Sequence, residues 1–249
     1  MKVINKSFTQ DHLGICEQIK RKSQEEYGLS PVNNICLITQ KINELSLLDG
    51  DYVECGTFKG NTLIPAALYS KSMKPPLRKK LWGIDTFKGF PPHEHHEKDL
   101  PSYFIELHSQ TLISDEHFEL AKKRTNNFED ISHLENEYFL EIKEIFNICE
   151  EFEDVGLLQG TFEEITPQFD RPIAILHLDG DLYEGYLTCL NNLYDNIIEG
   201  GCVIFDEYYS HKYPGARAAV NEFFIDKTGY FEKYITEERH ERWCFTKEK

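Results

Sequence analysis

Two stretches in the last third of this sequence place carboxylates where they can do chemistry. His177-Leu178-Asp179-Gly180-Asp181-Leu182-Tyr183-Glu184 overlaps the end of the apolar run 173–178, and Asp206-Glu207-Tyr208 follows Cys202-Val203-Ile204-Phe205. Continuous apolar runs bounded by turn residues predict strands buried on both faces of a parallel sheet. Acids that end neighbouring parallel strands converge in space, and like charges held that close are costly without a cation between them. Asp179, Asp206 and Glu207 are therefore candidate ligands for a hard, oxygen-preferring divalent ion such as Mg²⁺. The competing reading makes each acid a separate helix N-cap.

A second group precedes these. Tyr52 to Cys55 predicts a short strand carrying Glu54, Gly56 and Gly60 a turn, and Thr62 to Ser70 a helix. Glycines there let a ligand approach the backbone, and the helix N-terminus favours an anionic group. The G-x-G-x-x-G spacing of a dinucleotide-binding turn is absent. Asp85, at the end of a second predicted strand from Leu81, suits the two hydroxyls of a ribose; alternatively it caps the following turn. The histidines divide by context. His93, His95 and His96 fall in a charged, proline-bounded tract that predicts a solvated loop. His211, just past the second carboxylate pair, is a candidate general base set against simple exposure. His177, on an apolar strand, predicts a hydrogen-bonded core residue.

The elements that must position these residues form an α/β pattern. Helical segments at about 9–26 and 33–48 predict an N-terminal helical cap. Residues 88–150 have few strand signals and many aromatics, including Phe104, Phe118, Phe128, Tyr138 and Phe139, which predicts a helical insertion or lid. Further strands are expected at 155–159, 173–178 and 202–205, with a helix over 183–197 stopped at Gly200-Gly201 and another near 215–226. Segments at 230–235 and 242–245 predict a C-terminal antiparallel pair closing a mostly parallel, doubly wound sheet, with ligands at the carboxyl ends of its strands. The 249 residues fit one domain. A formal net charge of −16 argues against a function built on nucleic-acid phosphates. No run of eighteen apolar residues and no secretory leader is evident, so a cytoplasmic location and no membrane association are expected. Seven scattered cysteines without C-x-x-C pairs are expected to be reduced. A homo-oligomer is compatible with all of this.

The stretches VECGTFKGNT, GIDTFKGFP, LHLDGDLYE, GGCVIFDEY and PGARAAVNEFF together resemble the macrocin O-methyltransferase family over roughly residues 50–226. The resemblance implies a Rossmann-like class I methyltransferase fold, S-adenosylmethionine as methyl donor, Mg²⁺, and a sugar or nucleotide-sugar hydroxyl as acceptor. It places Glu54, Gly56, Thr57 and Gly60 at the donor's methionine end, Asp85 and Thr86 at its ribose, and Gln159, Gly160 and Phe162 along its adenine. Asp179, Asp206 and Glu207 match the metal ligands. Two departures stand out: Asp206-Glu207 replaces the family's paired aspartates, and the loop from Tyr208 to Pro214 is longer. Asp179 serves catalysis through the metal, and Asp181 or His211 takes the acceptor proton, Asp181 preferred because it lies two residues from a ligand. Surface-polysaccharide or nucleotide-sugar biosynthesis is the expected setting, with an antibiotic sugar as the alternative. Two rivals stand beside these: a glycosyltransferase using Asp179-Gly180-Asp181 as a D-x-D metal site, and a non-catalytic relative of the fold.

Overall fold

Apolar residues recur at helical spacing in the first fifty positions, and two helices form there: α1, Gln10–Tyr27, and α2, Ile35–Glu44. The Thr9 hydroxyl caps α1 by accepting the His12 N–H at 3.2 Å, and Gly28, at φ 66°, ends it in the left-handed conformation that glycine tolerates. The computed structural model describes residues 2–31, 34–74, 77, 79–90, 96–125, 142–236 and 240–249.

Eight strands make one sheet: β1 (Lys2–Lys6), β2 (Asp51–Cys55), β3 (Leu81–Asp85), β4 (Val155–Gln159), β5 (Ile173–Leu178), β6 (Ile197–Phe205), β7 (Gly229–Ile235) and β8 (Glu241–Lys247). Their order is β1-β7-β8-β6-β5-β2-β3-β4. Pairing is parallel from β4 through β6, whereas β8 lies antiparallel to both β6 and β7. The expected mixed sheet with its C-terminal antiparallel pair is therefore present.

Side chains alternate between the two faces, as the strand period of two requires. Tyr52, Ile175, Cys202, Ile204 and Cys244 pack under α1, α2, α3 (Leu63–Ser72) and α6 (Ile142–Cys149). Val53, Cys55, Leu176, Leu178, Val203 and Phe205 pack under α7 (Phe162–Ile165), α8 (Tyr183–Leu193) and α9 (Pro214–Phe223). The N-terminal helices are thus a layer of the core, with Ile35, Leu37, Ile38 and Ile42 wholly buried.

The sheet holds two features that differ from the expectation. Strand β1 adds an edge to β7, although its mostly exposed residues carry little apolar pattern. Strand β6 begins at Ile197 and runs through Gly200-Gly201, so these glycines do not stop a helix: α8 ends at Leu193. Gly200 adopts φ 80° and the β5–β6 register shifts beside it, while a Cβ on Gly201 would meet the Ala174 carbonyl at 3.0 Å. The glycines therefore accommodate an irregularity inside the strand.

Within the insertion, α4 (Tyr103–Ser109) and α5 (Asp115–Arg124) enclose a small core of Phe104, Leu107, Ile113 and Ala121. Hydrogen bonds fasten this part to the sheet domain. Buried Asp99 accepts the Tyr183 N–H at 2.8 Å, Lys98 reaches Glu222 at 2.9 Å and the Tyr183 hydroxyl at 3.0 Å, and His117 Nε2 donates to the Ser210 carbonyl at 3.1 Å. Phe128, Tyr138, Phe139, His93 and His95 lie outside the described residues. His96 is packed rather than solvated, its ring 4.2 Å from that of Tyr183. All seven cysteines are unpaired and buried, and no helix among the described residues is long and apolar enough to cross a membrane.

A buried ion pair ties α2 to the antiparallel edge: Lys41 Nζ lies 2.6 Å from Glu232 Oε2, each side chain under 5% exposed. Burial disfavours ionised Glu232, but Lys41 outweighs it and holds the carboxyl below its usual range. Removing one partner strands a buried charge, so Lys41→Met is expected to cost about 3–5 kcal/mol in urea denaturation, with the added change Glu232→Gln recovering most of it. Because the folded pKa of Glu232 is depressed, its contribution is complete above the ordinary glutamate value of about 4.3 and fades as pH falls through the lower folded value. The stability gap between wild type and the double variant should narrow over that acid interval.

Candidate active site

The carboxylates sit where two adjacent parallel strands end. The Asp179 N–H donates to the Cys55 carbonyl at 2.9 Å and that of Asp206 to the Leu178 carbonyl at 3.0 Å, so the ladder carries both acids to one edge of the sheet. The chain then turns into α8 through Gly180 and Asp181, the latter at φ 61°, a conformation aspartate tolerates better than most residues. Two overlapping sets result, each with ligand atoms within 4.8 Å of one another: His177, Asp179 and Asp206, and Asp179, Asp181 and Glu207. Of the trio expected from the sequence, Asp206 and Glu207 each join Asp179, but in different sets. Asp181 completes the oxygen-only one.

Crowding sets their charge. Burial and Asp206 push Asp179 well above the carboxylate range, burial and Asp206 push Asp181 up to about 7, and burial with Asp179 raises Glu207. Asp206 is held low, since His177 and Arg242 outweigh the effect of its burial. Four such groups cannot all ionise unaided, and the oxygen-only set has the donor chemistry of a Mg²⁺ site. Imidazole nitrogen in the other set suits Mg²⁺ less well, and the His177 ring is already engaged.

That engagement reveals Asn34, which the sequence did not point to. This fully buried residue, immediately before α2, donates its amide to Asp206 Oδ1 at 2.6 Å and lies 3.3 Å from His177 Nε2. On its other side, His177 Nδ1 faces Glu54 Oε2 at 3.4 Å, and Tyr52 donates its hydroxyl to that same oxygen at 2.7 Å. Asp206 and Glu54 together push His177 up to about 10 against the effect of burial. The ring lies between two carboxylates, with Asp206 Oδ1 3.9 Å from its Nε2. His177 is thus the bonded core residue that was expected.

The donor-side candidates gather around the end of β2. Gly56 adopts φ 97°, and a Cβ there would fall 1.8 Å from the Asp179 carbonyl oxygen, so only glycine allows the two strand ends to pass. Buried beside it, Glu54 Oε1 and Thr57 Oγ1 have no hydrogen-bond partner. Orphaned buried acceptors of this kind suit a ligand that brings N–H or O–H groups. Gly60 follows at φ 75°, next to Ile64 and Ile145. Asp85 does cap its turn: Oδ1 accepts the Phe87 N–H at 2.7 Å, and Oδ2 accepts the Phe58 N–H at 2.8 Å, clipping the β2 turn to β3. Carboxylate oxygens have further lone pairs, so this role leaves room for ribose hydroxyls. Thr86 spends its hydroxyl on the Gly89 carbonyl, and exposed Gln159 donates to the Thr86 carbonyl at 3.3 Å. Gly160 closes against Ile165, while the Phe162 ring lies against Gly180 and Gly185.

His211 falls elsewhere. Its ring centroid is 4.6 Å from that of His117 and 5.8 Å from that of His240, and burial lowers its pKa. Tyr213 stands nearer the acids, since burial, Asp181 and Glu207 all push its phenol up. Neither Tyr213 nor Asn34 carries a local sequence signal that would have singled it out.

Comparison with known proteins shows what this chain is similar to. The model for macrocin-O-methyltransferase (TylF) matches residues 141–229. Mycinamicin III 3''-O-methyltransferase of Micromonospora griseorubida is 27% identical over 234 residues, covering 88% of this chain and 80% of that protein. Demethyldecarbamoylnovobiocin O-methyltransferase of Streptomyces niveus is 27% identical over 179 residues, 70% of this chain and 58% of that one. Among solved structures, the O-methyltransferase NovP superposes with a TM-score of 0.60 at 23% identity, over 86% of this chain and 79% of its own. The calicheamicin methyltransferase CalS11 does so with a TM-score of 0.60 at 15% identity, over 96% and 93%. Sheet order, carboxylate edge and these likenesses converge on one statement: this chain is an S-adenosylmethionine-dependent O-methyltransferase, similar over residues 141–229 to the macrocin O-methyltransferase family.

Proposed function

We propose that the enzyme methylates a sugar hydroxyl with the help of Mg²⁺ held at the edge where β5 and β6 end. The observation that carries this reading is the convergence of four carboxylates beside an orphaned buried Glu54 oxygen. Among acceptor settings, a sugar of antibiotic biosynthesis has the better support: one relative is named for the 3''-position of mycinamicin III, another for the 4'-position of a rhamnosyl-tetracenomycin. The surface-polysaccharide setting finds no counterpart in these names.

In this reading Glu54 and Thr57 take the donor's methionine end, with Gly56 and Gly60 clearing the backbone. Asp85 and Thr86 take the ribose, and Gln159, Gly160 and Phe162 border the adenine. When bound, S-adenosylmethionine supplies an activated methyl on a sulfonium and Mg²⁺ supplies a Lewis acid that acidifies a hydroxyl. Asp179 with Asp206 and Glu207 would hold the metal, Asp181 adding an oxygen beside Glu207. These side chains position the acceptor against the donor, the largest contribution available to a displacement of this kind. The acceptor proton goes to Asp181, whose carboxyl faces the same space, rather than to His211, which packs among other histidines. The insertion α4–α5 walls the acceptor side, in keeping with a lid that excludes water.

Three outcomes test this reading. Excess chelator should abolish methyl transfer and Mg²⁺ restore it, and Asp179→Asn should lose turnover while binding S-adenosylhomocysteine normally in calorimetry; full activity in chelator would overturn the metal role. Asp181→Asn is expected to lower kcat by about 10²–10⁴-fold, the usual worth of a general base, with His211→Gln close to wild type. The reverse ranking in steady-state kinetics would move the base to His211. Asp85→Ala should weaken S-adenosylhomocysteine by about 1.5–3 kcal/mol, the scale of a hydrogen bond to a charged group. An unchanged calorimetric affinity would remove Asp85 from the donor site.

A further inference from the structure

One strand beyond the carboxylates, the antiparallel edge of the sheet opens into a cavity of about 720 Å³, with His117, Tyr209, Arg217, Lys233, Glu241 and Trp243 among its lining residues. Its place follows from the register. Trp243 pairs with Phe205, the last residue of β6 before Asp206, and Lys233 pairs with Trp243 in turn. The chain that leaves Glu207 runs through Tyr208 and Tyr209 along the cavity wall. The donor-side turns at β2, β3 and β4 lie on the other side of the carboxylates.

The lining polar groups are not all partnered. Lys233 and Glu241 pair at 3.2 Å, and His108 lies 2.8 Å from Asp115. Arg217 has no carboxylate partner among the described residues. Its guanidinium lies 4.6 Å over the Tyr208 ring, with Nε and Nη1 buried and lacking any hydrogen-bond acceptor. A guanidinium cannot discharge itself by losing a proton, so these two N–H donors need an acceptor that the described residues do not supply. His117 adds a second vacancy of the opposite kind. It is 1% exposed, its Nε2 is committed to the Ser210 carbonyl, and its Nδ1 is a buried acceptor without a donor. Burial, His211 and Arg217 hold this ring neutral, its pKa lowered to about 3, which keeps Nδ1 an acceptor.

A ligand that fits both vacancies carries an anion for Arg217 and a hydroxyl for His117, alongside the aromatic walls of Tyr209 and Trp243. Planar guanidinium is the protein group best matched to phosphate oxygens, whereas a neutral glycoside would leave Arg217 buried and unanswered. Resting on the reading of the carboxylate edge as the acceptor's site, we propose that this cavity binds a phosphoester group of the acceptor, so that the sugar is methylated while it carries a phosphate, with Arg217 as anchor.

The test keeps metal and donor out. With excess chelator, so that phosphate cannot bind through Mg²⁺, the full-length protein is titrated in a calorimeter with pyrophosphate, glucose 1-phosphate, uridine diphosphate glucose and glucuronate. Saturable binding of the phosphate probes at one site per chain is expected, weakened at least tenfold in Arg217→Met and partly restored in Arg217→Lys. All three proteins should bind S-adenosylhomocysteine alike, which shows the variants fold. Tighter binding of uridine diphosphate glucose than of glucose 1-phosphate assigns the phosphate to a nucleotide sugar, and equal binding assigns it to a sugar phosphate. The proposal is overturned if no phosphate probe binds, if Arg217→Met binds them as well as wild type, or if glucuronate binds as tightly as glucose 1-phosphate. Failure of the metal-assisted reading would show instead as methyl transfer that survives chelation, which leaves these isotherms untouched.

Discussion

Four carboxylates meeting at one edge of a parallel sheet are the constraint around which the rest of this molecule is arranged. Parallel strands all end on the same side, so acids placed just after β5 and β6 cannot avoid one another. Burial then removes the water that would screen them, and only Asp206 keeps its charge readily, through His177 and Arg242. The arrangement stores a demand for positive charge at one point. Gly56 sets what lies next to that point: the β2 turn passes so close to the Asp179 carbonyl that any side chain would collide. The turn proposed for the methyl donor and the acids proposed for the acceptor are therefore in backbone contact, and on that reading the main chain itself brings the two together.

The N-terminal helices take part in the same arrangement. Helix α2 packs its Ile35, Leu37, Ile38 and Ile42 into the sheet, and the residue just ahead of it, Asn34, enters the carboxylate network. An amide held by a core helix restricts the rotamer of Asp206 more firmly than a loop residue would, because displacing it means moving a packed element. Lys41, two turns further on, fastens the same helix to Glu232 in β7. One helix thus bridges the site and the antiparallel edge.

Much of this was legible in the sequence because it depends on local pattern. Apolar runs placed β2, β3, β4 and β5, and the acids and glycines at their ends marked the site, since strand-end chemistry leaves a consecutive signature. Strand β1 escaped because an exposed edge strand needs no apolar alternation: it gains its hydrogen bonds from β7 whatever its side chains are. Gly200-Gly201 looked like a helix stop because glycine punctuates both helices and irregular strands, and only the register with β5 distinguishes them. Asn34 and Arg217 escaped for a different reason. Asn34 draws its meaning from Asp206, more than a hundred positions away, and Arg217, although inside the PGARAAVNEFF stretch, from a cavity formed by separate elements. His211 shows the converse, a residue whose type and position suggested catalysis but whose ring the fold turns toward other histidines.

The asymmetry between what was legible and what was not follows the two halves of the reaction. A methyl donor with ribose, amino and carboxylate groups can be gripped largely by backbone turns, so the residues that matter are glycines and acids at fixed offsets after a strand. The acceptor half is built by side chains from β7, β8, α5 and α9, brought together because β8 runs antiparallel. Reversing that one strand puts the start of β8 and the end of β7 at the same edge as Asp206, which adds Trp243, Arg242, Lys233 and Glu241 to the wall beside the acids. A parallel strand would have brought another strand-to-helix turn there instead. On the proposed reading, the antiparallel edge is thus the structural feature that separates a generic donor site from a particular acceptor, and substitutions along it are expected to change acceptor preference without touching the donor turns.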